Sequence, residues 1–210
     1  MAARDRADRG AEKWIVGAAI EVFGRNGYHA STLVEIAANA RISVATVQRH
    51  YATREECFLA AYRQASHELV AIALEAYGTE ADWATGLHAG LSALLEAAAA
   101  DPARARVCFV EAQAAGRRAI HAREQTITRL EGLFDRAPEP TDGPRWPLLA
   151  RNLVGGIDFI IQRRIAAGKT AELPDLAGDL AYLAAAPFIG GRAAERLRRG
   201  GGQGSRDVYR

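Results

Sequence analysis

The chain has 210 residues, of which 49% are apolar and 25% charged, with a formal net charge of +2. That apolar content can bury a core, which excludes a disordered chain. The small net charge excludes any argument for a nucleic-acid partner from charge alone, so such a case must rest on where charges sit.

Lys13 and Lys169 are the only lysines among the 27 basic residues. The remainder are Arg, which suits multi-donor contacts to phosphate and base edges. Cys57 and Cys108 stand in no metal-ligand spacing and suit buried, reduced thiols. No charged-then-apolar leader opens the sequence, and no apolar run reaches the roughly 18–20 residues that span a bilayer. A cytoplasmic protein without a membrane partner is expected.

In chain order, residues 1–10 are polar and predict a flexible arm. Trp14, Ile15, Ala18, Ala19, Val22 and Phe23 follow at helical spacing over 11–24. "GRNGYHAS" breaks the pattern, with Gly24 or Gly27 able to take a left-handed cap. A second helix opens at Thr32, which pairs with Glu35 as a capping box, and turns Leu33, Ile36, Ala37 and Ala40 inward. "ARIS" is a tight turn. Ser43 caps a third helix with Val44, Val47 and Tyr51 inward, and Thr53 with Glu56 opens a fourth. That fourth helix is predicted over 53–77, and further helices at 81–99, 102–115, 117–136, 147–167 and 172–199. Asp101-Pro102 marks a helix start. The proline-rich stretch 136–147 is a loop, and Pro187 kinks or breaks the last helix. Residues 200–210 predict a flexible tail. The expected class is all-α: a helix-turn-helix head over 11–55 and a larger helical body over 56–199.

Two short helices joined by about three residues describe a helix-turn-helix. With the valines inward, helical spacing sends Ala45, Thr46, Arg49 and His50 outward or along the flank. A major groove about 12 Å wide admits one such helix. Ala45 allows close approach, Thr46 can bond a phosphate or base edge, and the Arg49 fork matches the two acceptors of guanine. Helix starts at Thr32, Ser43 and Thr53 present N–H groups to phosphates. Arg54 opposes the dipole of its own helix, which a phosphate partner would explain.

The stretch "GYHASTLVEIAANARISVATVQRHYATREECFLAAY" resembles the N-terminal signature of TetR-type transcriptional regulators. Gly27, Tyr28, Ser31, Thr32, Ile36, Ala37, Ser43, Ala45, Thr46, His50, Tyr51, Thr53, Arg54 and Glu55 stand where that pattern expects them. The resemblance covers roughly residues 11–62. Three positions depart from it. Arg41 replaces the usual turn glycine, at a cost of about 1 kcal/mol if the backbone is left-handed, and is in reach of DNA. Gln48 replaces a tyrosine and can read adenine. Val44 replaces a frequent lysine. The candidate DNA-contacting set is therefore Thr32, Arg41, Ser43, Val44, Ala45, Thr46, Gln48, Arg49, His50, Tyr51, Thr53 and Arg54. Arg4, Arg6 and Arg9 are in reach of an adjacent minor groove, or belong to a solvated tail.

The resemblance further implies a homodimer on a palindromic double-stranded operator, formed by the last two long helices. Gly155, Gly156, Phe159, Leu180, Leu183 and Phe188 are the interface candidates, against simple core packing. It also implies an effector pocket, for which Tyr62, Trp83, His88, Phe109, Gln113, Trp146 and Gln162 are the candidates. The effector would be a small hydrophobic or amphipathic molecule that releases a repressor from DNA. An enzyme is disfavoured: the chain has no paired Glu-x-x-His, no His-Glu-x-x-His, no Gly-x-Ser-x-Gly and no phosphate-binding glycine loop, and no cofactor is implied. The alternative left open is a helical ligand-sensing or protein-binding dimer that has lost DNA binding.

Overall fold

A computed structural model describes the backbone of residues 2–140 and 146–200, and the side chains of residues 10–140 and 148–199. Ten α-helices, linked by turns and three short 3₁₀ segments, account for the described residues, and none of these residues forms a strand. They divide into two compact units. One comprises Met1–His67 with Asp101–Glu124, the other Glu68–Ala100 with Gln125–Arg210. The tail expected at 200–210 lies outside the described residues apart from the backbone of Gly200.

The first unit begins with α1 (Ala2–Asn26), whose backbone is helical well ahead of residue 11, through most of the segment expected to be a flexible arm. Ile15, Ala19 and Phe23 are fully buried along one face. Trp14, grouped with them by spacing, instead points outward at 72% exposure. Helix α1 ends at Gly27, whose φ of +82° and N–H bond to the Phe23 carbonyl form a left-handed cap. Gly24 does different work: a Cβ there would stand 2.5 Å from the Ala103 backbone, so its lack of a side chain lets the helix over Pro102–Phe109 lie against α1.

Helices α2 (Leu33–Asn39) and α3 (Val44–His50) follow, then α4 (Arg54–Gly78), which starts in the first unit and ends in the second. Helix α6 (Pro102–Phe109) is capped by Asp101, whose carboxylate accepts the Arg104 N–H at 3.0 Å with Pro102 in the first turn. It is shorter than the expected 102–115 and gives way to a 3₁₀ turn at Glu111–Gln113. Cys57 and Cys108 are buried free thiols; burial pushes the Cys57 thiol up to about 12.

In the second unit, α5 (Trp83–Ala100) packs against α9 (Ala177–Ile189) and the 3₁₀ segment Thr170–Leu176. Gly86 and Gly90 admit close approach: a Cβ on either would come within 2.9 Å of the carbonyls of Tyr77 or Ala73 on α4. Helix α7 (Arg117–Glu131) begins in the first unit and stops at Gly132, short of the expected residue 136. The Leu133 carbonyl, outside α7, accepts both the Trp83 indole N–H at 2.9 Å and the Tyr77 hydroxyl at 3.1 Å. Trp83, Phe134 and Phe188 form a triangle of rings with centroids 5.1–5.8 Å apart.

Helix α8 (Trp146–Ala166) precedes α9, and α10 (Gly191–Gly200) packs back on α9. The single helix expected over 172–199 is thus three segments. Pro187 lies inside α9; the break falls three residues later at Gly190, whose φ of +79° ends the helix. No helix among the described residues is long and apolar enough to cross a membrane.

Candidate nucleic-acid interface

The α2–α3 corner is built from caps. Thr32 Oγ1 accepts the Glu35 N–H at 3.2 Å, and the Glu35 carboxylate accepts the Thr32 N–H at 2.8 Å, closing the expected capping box. At the other end, Arg41 N–H bonds the Ala38 carbonyl and Ile42 N–H bonds the Ala37 carbonyl. This pair of bonds is a Schellman motif, which requires a left-handed residue after the cap. Arg41 supplies it at φ 55°, so the turn keeps its shape and the side chain bears the steric cost, about 1–2 kcal/mol.

Ser43 opens α3: its Oγ accepts the Thr46 N–H at 3.1 Å, and the two hydroxyls stand 2.9 Å apart. Val47 is fully buried and fixes the rotation of α3, with Val44 half-buried beside it. The opposite face is solvated. Arg41, Ser43, Ala45, Gln48 and Arg49 are exposed, while Thr46 and His50 are half-exposed on the flanks. Among the described residues, the side chains of Arg41, Gln48 and Arg49 make no hydrogen bond or ion pair. Thr32 and Thr53 are exposed at the helix starts on either side. The box at Thr53 closes one residue early: Glu56 N–H bonds Thr53 Oγ1 at 3.2 Å, but the Glu56 carboxylate accepts the Ala52 N–H at 2.9 Å.

Two candidates are engaged inside the head. Tyr51 is buried, and its hydroxyl donates to Glu12 Oε1 at 3.3 Å. Burial and the nearby Glu12 charge push its phenol pKa up, so it stays a donor. Arg54 donates to the carbonyls of His29 at 2.9 Å and Ser31 at 3.2 Å, with its guanidinium 4.4 Å over the Tyr28 ring. Its awkward place in a helix first turn therefore has a partner within the fold, the two carbonyls and the ring, without a phosphate. Tyr28 and Phe23 stack beneath and Phe58 meets both edge-on, with centroids 5.1–6.0 Å apart. Glu111, which no sequence motif marked, accepts the Tyr28 N–H at 2.7 Å. The available signal was a lone carboxylate in the apolar run "VCFVEAQAA", a pattern that asks for a buried partner.

The effector candidates are not gathered in one unit. Tyr62, Phe109 and Gln113 lie in the first: Tyr62 is buried, Phe109 half-buried and Gln113 exposed. Trp83, His88 and Gln162 lie in the second. Trp83 is a core residue with its N–H satisfied, while His88 and Gln162 are half-buried. Partial burial lowers the His88 pKa, which favours the neutral ring. The Trp146 side chain lies outside those described, as do those of Arg4, Arg6 and Arg9. Of the interface candidates, Leu180 and Phe188 are buried within the body, because α9 turns that stripe toward α5. Phe159 and Leu183 remain outward at 58% and 49% exposure, and a Cβ on Gly155 or Gly156 would meet nothing within 4 Å. Among the described residues no cluster of three or more His, Cys, Asp or Glu could hold a metal ion.

Against known proteins, the profile of the bacterial regulatory proteins of the tetR family matches residues 15–61. No curated protein matches the chain. Among solved structures, the transcriptional regulator FadR from Bacillus subtilis, in complex with stearoyl-CoA, superposes with a TM-score of 0.72 at 19% identity, covering 84% of this chain and 98% of that one. The fatty acid degradation regulator FadR from Bacillus halodurans gives 0.72 at 17% identity, covering 82% and 96%. A transcriptional regulator from Rhodococcus sp. RHA1 gives 0.68 at 22%, covering 84% and 95%. At these identities the likeness is one of fold. Residues 15–61, which hold most of α1 and all of α2 and α3, thus match the bacterial regulatory proteins of the tetR family, and the described helices follow the fold of such transcriptional regulators.

Proposed function

We propose that the protein is a ligand-responsive repressor of transcription that inserts α3 into the major groove of a palindromic operator, as a dimer. The observation that carries this reading is the two-sided character of α3. Val47 anchors one face in the core, and the other leaves Ala45, Gln48 and Arg49 solvated and unengaged beside Arg41. Arg49 is assigned to a guanine edge and Gln48 to an adenine edge. Arg41, Thr32, Ser43 and Thr53 are assigned to phosphates, with Thr46 and His50 on the flanks. Val44 and Tyr51 support the helix from within, and Arg54 supports the turn ahead of α2.

Dimerisation through the outward positions Phe159, Leu183, Gly155 and Gly156 would place two α3 helices on half-sites about 34–36 Å apart. A small hydrophobic or amphipathic effector bound among the body helices would favour a conformation whose heads no longer fit adjacent grooves. The stearoyl-CoA held by the Bacillus subtilis regulator of the same fold supports an acyl or similarly amphipathic class. Selection of bound duplexes from a random pool, at one stated salt, tests the reading. A two-fold symmetric consensus is expected; enrichment of nothing would favour a helical ligand sensor without DNA binding.

A further inference from the structure

The turn between α1 and α2 is gripped by a carboxylate from much later in the chain. Glu111 is buried, and its Oε2 accepts the Tyr28 backbone N–H at 2.7 Å. Its Oε1 accepts Nε of Arg106 at 2.9 Å. The carboxylate also lies directly against Gly27, where a Cβ would stand 3.3 Å from Oε2. From the other side, Arg54 lies over the Tyr28 ring and holds the His29 and Ser31 carbonyls. Within the turn, the buried Ser31 hydroxyl donates to the Gly27 carbonyl at 2.6 Å. The next residue, Thr32, is the N-cap of α2.

A buried apolar side chain would fill this space at lower desolvation cost than a carboxylate. What a charge-assisted pair adds is a fixed length and direction. We propose that Glu111 is a positioning residue of the DNA-binding head: seated on Arg106, it sets the Gly27–Ser31 turn, and so the angle at which α2 and α3 are presented. The pose of the head is then governed by residues 101–113 as well as by α4. This rests on the DNA-binding reading above.

The test uses the full chain with Glu111→Ala and Glu111→Gln. It measures hydrogen exchange over residues 27–33 and 15–23, and affinity for the selected duplex across a salt series. In Glu111→Ala, exchange over 27–33 is expected to rise about tenfold or more while 15–23 is unchanged, as befits a lost hydrogen bond to a charged group. Affinity should fall about tenfold with an unchanged salt slope, because no phosphate contact is lost. Glu111→Gln, which keeps an acceptor for Tyr28, should recover part of both. Faster exchange with unaltered affinity would overturn the proposal, as would a rise in exchange shared equally by 15–23. If the wild-type chain enriches no duplex, the DNA-binding reading fails by itself. The exchange data then decide whether Glu111 anchors the turn, and unchanged exchange over 27–33 would overturn that too.

Discussion

At the scale of single residues, Arg41 separates a cost of folding from a gain in function. The Schellman bonds hold its backbone at φ 55°, where a side chain costs about 1–2 kcal/mol. Arg41→Gly should relieve that strain while losing about 0.4–1 kcal/mol to the greater freedom of the unfolded chain. The net expectation is a gain of about 0.5–1 kcal/mol in urea unfolding. Arg41→Ala, which removes the same charge and keeps the left-handed Cβ, should show no such gain. Equal stability of the two variants would mean that the turn is not strained. Both variants should bind duplex more weakly than wild type if Arg41 reaches a phosphate. That the turn would tolerate an arginine was not readable from the sequence, because left-handed strain and a reshaped turn predict the same residue list.

At the scale of elements, glycines on one helix have opposite meanings. Gly24→Ala in α1 would drive a Cβ to 2.5 Å from the Ala103 backbone, and helix backbone cannot swing aside as a side chain can. A loss of about 1–3 kcal/mol is expected. Gly17, also in α1, is exposed with nothing within 4 Å of its would-be Cβ, so Gly17→Ala should gain up to about 1 kcal/mol. Thermal unfolding of the two variants checks the pair, and equal effects would contradict the packing of α1 on α6. The helices themselves were legible: the box at Thr32, the caps at Ser43 and Thr53 and the Asp101-Pro102 start are local signals, and all four open helices, although the box expected at Thr53 closes only by half. The helix ends were less so. The end of α7 at Gly132 and the break at Gly190 rather than Pro187 depend on which carbonyls find partners elsewhere and on φ, which periodicity does not encode. Facing direction was legible where spacing was unambiguous, as for Val47, and misleading for Trp14. One apolar residue at the border of a stripe can point either way.

At the scale of the whole molecule, long-range partners were hidden from the sequence. The Glu111 bond to Tyr28 spans most of the first unit's sequence range, and no local pattern links the two. Leu180 and Phe188 were interface candidates because the resemblance implies that the last long helices pair between subunits; within the chain both are buried, where α9 packs on α5 and α10. The exposed members of that set remain the candidates for self-association. Phe159→Glu and Leu183→Glu should turn a sedimenting dimer into a monomer at micromolar concentration while leaving helix content unchanged, since both side chains already face solvent. A wild-type monomer under those conditions would end the dimer reading.

Operator recognition turns on which face of α3 meets the duplex. The most direct measurement is the affinity of wild type and Arg49→Ala for the selected duplex and its single-base variants, at one salt concentration. A loss of about 1–3 kcal/mol is expected, with discrimination relaxed at one guanine in each half-site and retained elsewhere. Unchanged affinity, or a uniform loss across all sequences, would contradict it.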